Sequence, residues 1–113
     1  MKDPWRYLKL AAEVANLKDD QRSFRLGAVG IRSDGVLVAA YNGPSFQKTA
    51  ALHAEARLTR KMDYHGVVYV ARTKAEGLGL ARPCASCQRA LRRKRVRRVY
   101  YTISSEEYGV LEL

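Results

Sequence analysis

The sequence predicts an α/β fold in which one mixed sheet of four to five strands lies between helices on both faces, a three-layer α/β/α sandwich. Two observations predict it. Segments with helical spacing alternate along the chain with short β-branched segments, and the apolar run at 67–71 has few polar interruptions, as in a strand covered on both faces. The 113 residues suit one domain, which we place at 1–113.

The first elements are a helix and a β-hairpin. Asp3 is a typical N-cap residue and Pro4 suits a first helical turn, after which apolar residues recur at helical spacing. Residues 26–31 and 36–41 are predicted strands. The turn residues at 33–35 join them as a hairpin.

The later elements continue this alternation. Only a turn separates the last two apolar segments, so a final strand must return directly and form an antiparallel hairpin with its neighbour. The predicted bounds are helices at 49–62 and 84–94, strands at 67–71, 96–103 and 108–113, a loop at 73–80 and a turn at 104–107.

The charge indicates an anionic partner. The chain carries 21 basic and 11 acidic residues, a net charge of +10, and seven of the basic residues fall within 89–98. Arginine pairs bidentately with phosphate oxygens, which favours a nucleotide or nucleic acid. The alternative is a solvated helix end that complements the helix dipole. The candidate phosphate contacts are Arg92, Arg93, Arg95 and Arg97.

The hydropathy of the chain and its cysteine usage indicate the cytoplasm. No apolar run approaches the roughly 20 residues of a membrane span, and acidic residues in the first 20 positions are unlike a signal peptide. Both cysteines, Cys84 and Cys87, form one C-x-x-C, which favours a metal site or a redox pair over a structural disulfide. We therefore expect a soluble, cytoplasmic protein with no membrane partner.

Two short motifs carry the chemistry: His53-Ala54-Glu55, and Pro83 to Cys87. One histidine and two cysteines suit tetrahedral Zn²⁺, and a catalytic zinc leaves its fourth position to water. The two cysteines begin a predicted helix three residues apart, where their sulfurs face one point and the helix dipole favours thiolates. Glu55 is close enough to His53 to exchange protons with that water without being a ligand.

The pair of motifs, H-x-E followed by P-C-x-x-C, is the signature of zinc base deaminases. The chain resembles the cytidine deaminase-like superfamily over nearly its whole length. Residues 27–29, 34–35 and 41–43 are similar to a deoxycytidylate deaminase hairpin, and 98–101 is similar to several members. The resemblance implies that His53, Cys84 and Cys87 bind Zn²⁺ and that Glu55 is the proton shuttle.

Substrate contacts are also expected. By the resemblance, Asn42 contacts the substrate and the backbone N–H of Ala54 contacts the base carbonyl, although Asn42 also fits plain turn chemistry. Tyr101 and Tyr108 either stack on a base or pack in the fold.

These observations predict a hydrolytic deaminase that converts a cytosine-type base to uracil. The net charge slightly favours single-stranded DNA or RNA as substrate, and the hairpin resemblance supports free deoxycytidylate or cytidine nucleotides. Two further hypotheses stay open: an adenosine deaminase that acts on RNA, and a zinc-stabilised nucleic-acid-binding module without turnover. A thioredoxin-like redox role leaves His53 and Glu55 unexplained. Whether the chain forms a homo-oligomer stays open as well.

Overall fold

The computed structural model describes residues 3–16, 25–42 and 54–113. In these ranges it contains three helices and six strands. The helices are α1 (Pro4–Ala15), α2 (Ala54–Thr59) and α3 (Ala85–Arg93), and the strands are β1 (Arg25–Ile31), β2 (Leu37–Tyr41), β3 (Val67–Lys74), β4 (Gly77–Gly79), β5 (Arg98–Thr102) and β6 (Tyr108–Glu112).

The strands form one mixed sheet in the order β2-β1-β3-β5-β6, with β4 paired to β3. Strands β3 and β5 are parallel, and the other pairs are antiparallel. The expected hairpin of the last two strands is confirmed, with Thr102 opposite Tyr108 and Arg98 opposite Glu112. The mixed sheet of the α/β prediction is therefore also confirmed.

The loop predicted at 73–80 is wrong. Strand β3 continues to Lys74, and the chain then turns back into β4. The two strands pair antiparallel, with Lys74 opposite Gly77 and Arg72 opposite Gly79. Thr102, at the end of β5, secures this hairpin: its hydroxyl accepts from the Arg72 N–H at 3.2 Å and donates to the Gly79 carbonyl at 2.7 Å. Because Thr102 is distant in sequence, the local pattern of residues 73–80 does not indicate this contact.

Helix α2 also ends earlier than the sequence predicts. It ends at Thr59, and a turn closed by the Lys61 N–H on the Leu58 carbonyl, at 2.8 Å, follows before Met62. The predicted start of this helix, 49–53, lies outside the described residues.

Helix α1 covers one face of the sheet. The Asp3 carboxylate accepts from the Trp5 N–H at 3.0 Å, which confirms the N-cap. The helix packs on β1 and β3 through a small cluster of Ala11, Val14, Val29 and Ala71. Its backbone comes so close to β1 that a side chain at position 27 would collide with the Ala11 carbonyl oxygen, so this contact requires glycine.

Helices α2 and α3 cover the opposite face. Leu58 of α2 and Leu91 of α3 are fully buried against side chains of β1, β3 and β5, among them Val68 and Val99. This is the larger of the two apolar clusters. Helices therefore lie on both faces of the sheet, and the three-layer prediction is confirmed.

Candidate active site

The first turns of α2 and α3 meet at one end of the sheet. Helix α2 leads into β3 and α3 follows it, so the start of each helix lies near the end of β3. Between them is a cleft of about 190 Å³. The described residues that line it are Leu26, Glu55, Arg72, Leu80, Ala81, Arg82 and Cys84.

Glu55 and Cys87 form the buried side of this region. Glu55 is 3% exposed and Cys87 is fully buried. Burial raises the pKa of the Cys87 thiol, the Glu55 carboxylate raises it further, and hydrogen bonding with Cys84 and Glu55 acts in the same direction. The carboxylate and both sulfurs are thus close neighbours, as the two motifs predict.

The local structure around Pro83 positions the two cysteines. Cys84 is the N-cap residue of α3 and is exposed, whereas Cys87 lies in the first turn and points inward. Gln88 holds the chain in this bend, because its N–H donates to the Cys84 carbonyl at 2.9 Å and its side-chain amide donates to the Pro83 carbonyl at 2.8 Å. Neither cysteine forms a disulfide bond.

The donor chemistry fits zinc as far as the structure describes it. Within 3–16, 25–42 and 54–113, no group of three or more His, Cys, Asp or Glu side chains is arranged to hold a metal ion. The third predicted ligand, His53, lies outside these ranges. The two cysteines beside a buried carboxylate supply sulfur donors of the kind zinc binds, and a cation would stabilise a thiolate that burial disfavours.

A comparison with protein-family models agrees with this arrangement. The model for the cytidine and deoxycytidylate deaminase zinc-binding region matches residues 1–103. The chain belongs to this family. No curated protein matches it significantly. Membership makes the protein a zinc-binding enzyme of the cytidine deaminase type and indicates a nucleotide or nucleic acid as its substrate.

No helix in the described part of this deaminase is long and apolar enough to cross a membrane.

Asn42 lies beside the cleft of the deaminase and is 3% exposed. Its side-chain oxygen accepts from the Leu26 N–H at 2.9 Å, and its own N–H donates to the Leu26 carbonyl at 3.1 Å. Asn42 therefore continues the β1–β2 pairing next to Leu26, which lines the cleft. Its contact with substrate stays a prediction.

Ala54 is the first residue of α2 and is fully buried next to Glu55. The first N–H groups of a helix have no partner within it, so this backbone group is of the kind that binds a carbonyl oxygen. The role of Ala54 in binding the base likewise stays a prediction.

The two tyrosines lie on opposite faces of the sheet. Tyr101 is 8% exposed and belongs to the core under α2 and α3, where its ring covers Gly109. Tyr108 lies on the α1 face, with ring centroids 5.6 Å from Trp5 and 6.1 Å from Tyr100. Neither ring is among the described residues that line the cleft, so the structure does not bring these two predicted contacts to Glu55.

The four arginines predicted to contact phosphate lie at the other end of α3. Arg92 and Arg93 end the helix, and Arg95 and Arg97 follow it; all four are exposed. Nine residues of helix correspond to a rise of about 13 Å. This cluster is therefore separated from Cys84 by the length of α3.

Two basic residues of the cleft escaped the sequence analysis. Arg72 comes from β3 and Arg82 from the segment before Pro83. Two signals in the sequence could have found them: Arg82 stands directly before the P-C-x-x-C motif, and Arg72 has the same strand parity as Val68 and Val70. What the sequence lacked was the extension of β3 beyond Ala71.

Proposed function

We propose that this family member is a zinc-dependent hydrolytic deaminase that converts a cytosine-type base to uracil. The observation that carries the proposal is a buried carboxylate, Glu55, beside the thiols of Cys84 and Cys87 at an open cleft. A proton-transfer group next to metal donors is the arrangement that hydrolytic deamination requires.

Each residue has a defined task in this reaction. Cys84 and Cys87, with His53, would hold the zinc, which when bound lowers the pKa of water and so supplies a nucleophile near neutral pH. Glu55 accepts a proton from the water that attacks C4 and delivers it to ring N3. It then transfers the remaining hydroxyl proton to the amino group, which leaves as ammonia. One water and one cytosine base thereby give one uracil base and one ammonia.

The experiment that tests this proposal is a product assay. The purified protein is incubated with deoxycytidine, deoxycytidine 5′-monophosphate (dCMP), single-stranded DNA and RNA, and the bases are analysed by mass spectrometry. We expect uracil from at least one cytosine substrate. Inosine from RNA with no uracil would identify an adenosine deaminase, and binding without any product would identify a module without turnover; either result contradicts the proposal.

Glu55→Gln separates the chemistry from the architecture. The side chain is nearly isosteric and is not a proposed ligand, so fold and zinc content should persist. Turnover should fall by about 10²- to 10⁴-fold, as expected for the loss of a general acid–base group. Turnover within a few-fold of the wild type would exclude Glu55 as the proton shuttle.

We further propose single-stranded nucleic acid as the first substrate class, with free deoxycytidylate as the second. The net charge of +10 supports a polyanion. A groove at the β2 edge also supports it. Arg57 of α2 lines this groove together with Arg60 and Lys61 from the turn after the helix, and the Arg57 guanidinium lies 5.4 Å from the Tyr41 ring centroid. The exposed cluster of Arg92, Arg93, Arg95 and Arg97 is a further candidate site for binding the phosphates of the nucleic acid.

Charge reversal tests whether that exposed cluster binds a strand. If Arg92 and Arg95 each neutralise a phosphate, binding to a short single strand should depend less on salt in Arg92→Glu/Arg95→Glu. The slope of the logarithm of the binding constant against the logarithm of the salt concentration should become shallower by about 0.7 per lost contact. Deamination of dCMP should not change. The matched control is Arg6→Glu/Lys9→Glu, an equal charge change at exposed positions of α1. A salt dependence equal to that of the control would remove the cluster from the strand path.

We also propose the cytoplasm as the protein's location. Neither cysteine forms a disulfide bond, and thiols persist in a reducing compartment.

A further inference from the structure

Two arginines line the cleft beside Glu55. Among the described residues that line it, the charged ones are Glu55, Arg72 and Arg82, and the others are aliphatic apart from Cys84. Within this described lining, arginines thus outnumber carboxylates. A cleft that was to receive only an uncharged nucleoside has no need of this excess of positive charge.

Pairing on both sides of β3 sets the position of Arg72. Its Cα pairs with Leu26 in β1 and with Gly79 in β4, and its N–H donates to the Thr102 hydroxyl at 3.2 Å. The side chain has the same strand parity as Val68 and Val70, which pack under α2 and α3. Arg72 is therefore held in the wall of the cleft by rigid backbone.

Arg82 comes from a different part of the chain and is exposed at the mouth of the cleft. It stands directly before Pro83, which is buried and precedes the N-cap residue Cys84. The ring of Pro83 restricts the backbone of its neighbour, so Arg82 keeps a defined position relative to Cys84.

The surroundings favour a strong interaction with an anion. Leu26 and Leu80 form apolar parts of the same wall, and a bound substrate that covers them would exclude water that screens charge interactions. A guanidinium presents a planar set of donors that matches two phosphate oxygens at once. Two such groups from separate segments are suited to bind one phosphate from two sides.

We propose that Arg72 and Arg82 bind a phosphate of the substrate, so that the site selects a cytosine nucleotide over the nucleoside. This inference rests on the proposed deaminase function. The phosphate has two sources, the free 5′-monophosphate or a phosphodiester next to the target base in a single strand. Both present the same anionic oxygens to the two guanidinium groups.

The test compares kcat/KM for deoxycytidine, dCMP and a short single strand with one cytosine. The wild type should prefer a phosphorylated substrate to deoxycytidine. Arg72→Gln and Arg82→Gln should each lower kcat/KM for that substrate about 10- to 100-fold, through KM, because each removes a charged hydrogen-bond donor. The loss for deoxycytidine should be much smaller, because it has no phosphate for either arginine to bind.

The control is Arg89→Gln, an equal charge change at an exposed position of α3 outside the described lining of the cleft. It should leave all three substrates unchanged. A loss confined to dCMP assigns the free monophosphate as the source, and a loss confined to the strand assigns the phosphodiester. Arg82 is exposed, so Arg82→Gln stays informative even if Arg72→Gln fails to fold.

Binding provides a readout separate from turnover. In a Glu55→Gln background, titration calorimetry should show dCMP or the single strand binding about 10- to 100-fold more weakly when Arg82→Gln is added. Equal kcat/KM for deoxycytidine and both phosphorylated substrates in the wild type, or an equal loss for all three in the arginine variants, would overturn phosphate selection. Failure of the deaminase proposal looks different, because no substrate would then yield uracil at all.

Discussion

The two faces of the sheet are built from different side chains and contribute differently to function. On the α1 face, aromatic rings follow one another across the strands. Tyr7 stacks on Tyr69 with centroids 4.8 Å apart, and Tyr69 stacks on Tyr100 at 5.0 Å. The series continues through Tyr108 to Trp5. These rings contact each other and α1, so packing accounts for them.

The face under α2 and α3 combines an aliphatic core with polar groups at one end. Leu58 and Leu91 fill its centre, while Glu55, Cys84 and Cys87 lie where the two helices begin. Aromatic residues near a sheet edge therefore do not by themselves indicate a base-binding site. Titratable groups next to an open cleft are the stronger indicator, because burying them needs a compensating role.

The largest expected effect that separates the faces is the loss of metal. Cys87→Ala removes a proposed zinc ligand, so zinc content should fall from about one per chain to a small fraction and deamination should be lost. Metal analysis after purification measures this. Tyr69→Phe, on the α1 face, is the control and should retain its zinc. Full zinc occupancy in Cys87→Ala would show that the ligand set is wrong.

An intermediate effect should appear on the α1 face at alkaline pH. Burial raises the pKa of Tyr69 to about 12, and the neighbouring Tyr100 and Tyr7 act in the same direction. Above pH 10 the unfolded chain loses this phenolic proton while the folded chain keeps it, so the free energy of unfolding falls as pH rises from 10 to about 12. By about pH 11 the loss should be about 1 kcal/mol.

Urea unfolding at about pH 8 and about pH 11, on either side of the ordinary tyrosine pKa, checks this. Tyr69→Phe should lose less stability than the wild type between the two pH values, because it has no phenolic proton at this position. Tyr64→Phe, at an exposed position, should behave as the wild type does. Identical losses in all three proteins would mean that Tyr69 titrates normally.

The smallest effect on activity is expected for Tyr108→Ala. Its ring contacts Trp5 and Tyr100 on the α1 face, so its removal should cost about 0.5–1.5 kcal/mol of stability. Steady-state deamination should stay within two-fold of the wild type. A ten-fold rise in KM would show that Tyr108 contacts the substrate. The α1 face would then also take part in substrate binding.

Features with local causes are predictable from the sequence alone. The α1 N-cap depends on Asp3 and Pro4, and the first hairpin depends on a turn at 33–35. The two cysteines converge because a helical turn separates them by three residues. The family and its zinc chemistry also follow from short motifs, since each motif carries its own geometry.

Contacts between residues distant in sequence depend instead on how the strands and helices assemble. Arg72 reaches the cleft because β3 extends past Ala71, and the Thr102 hydroxyl, thirty residues away, stabilises that extension. Tyr101 and Tyr108 lie on opposite faces of the sheet. Strand periodicity alone does not show this, because it requires the register of β5 against β6, and that register is set by pairing between the strands. Pairing and packing of this kind are long-range, and a local pattern does not encode them.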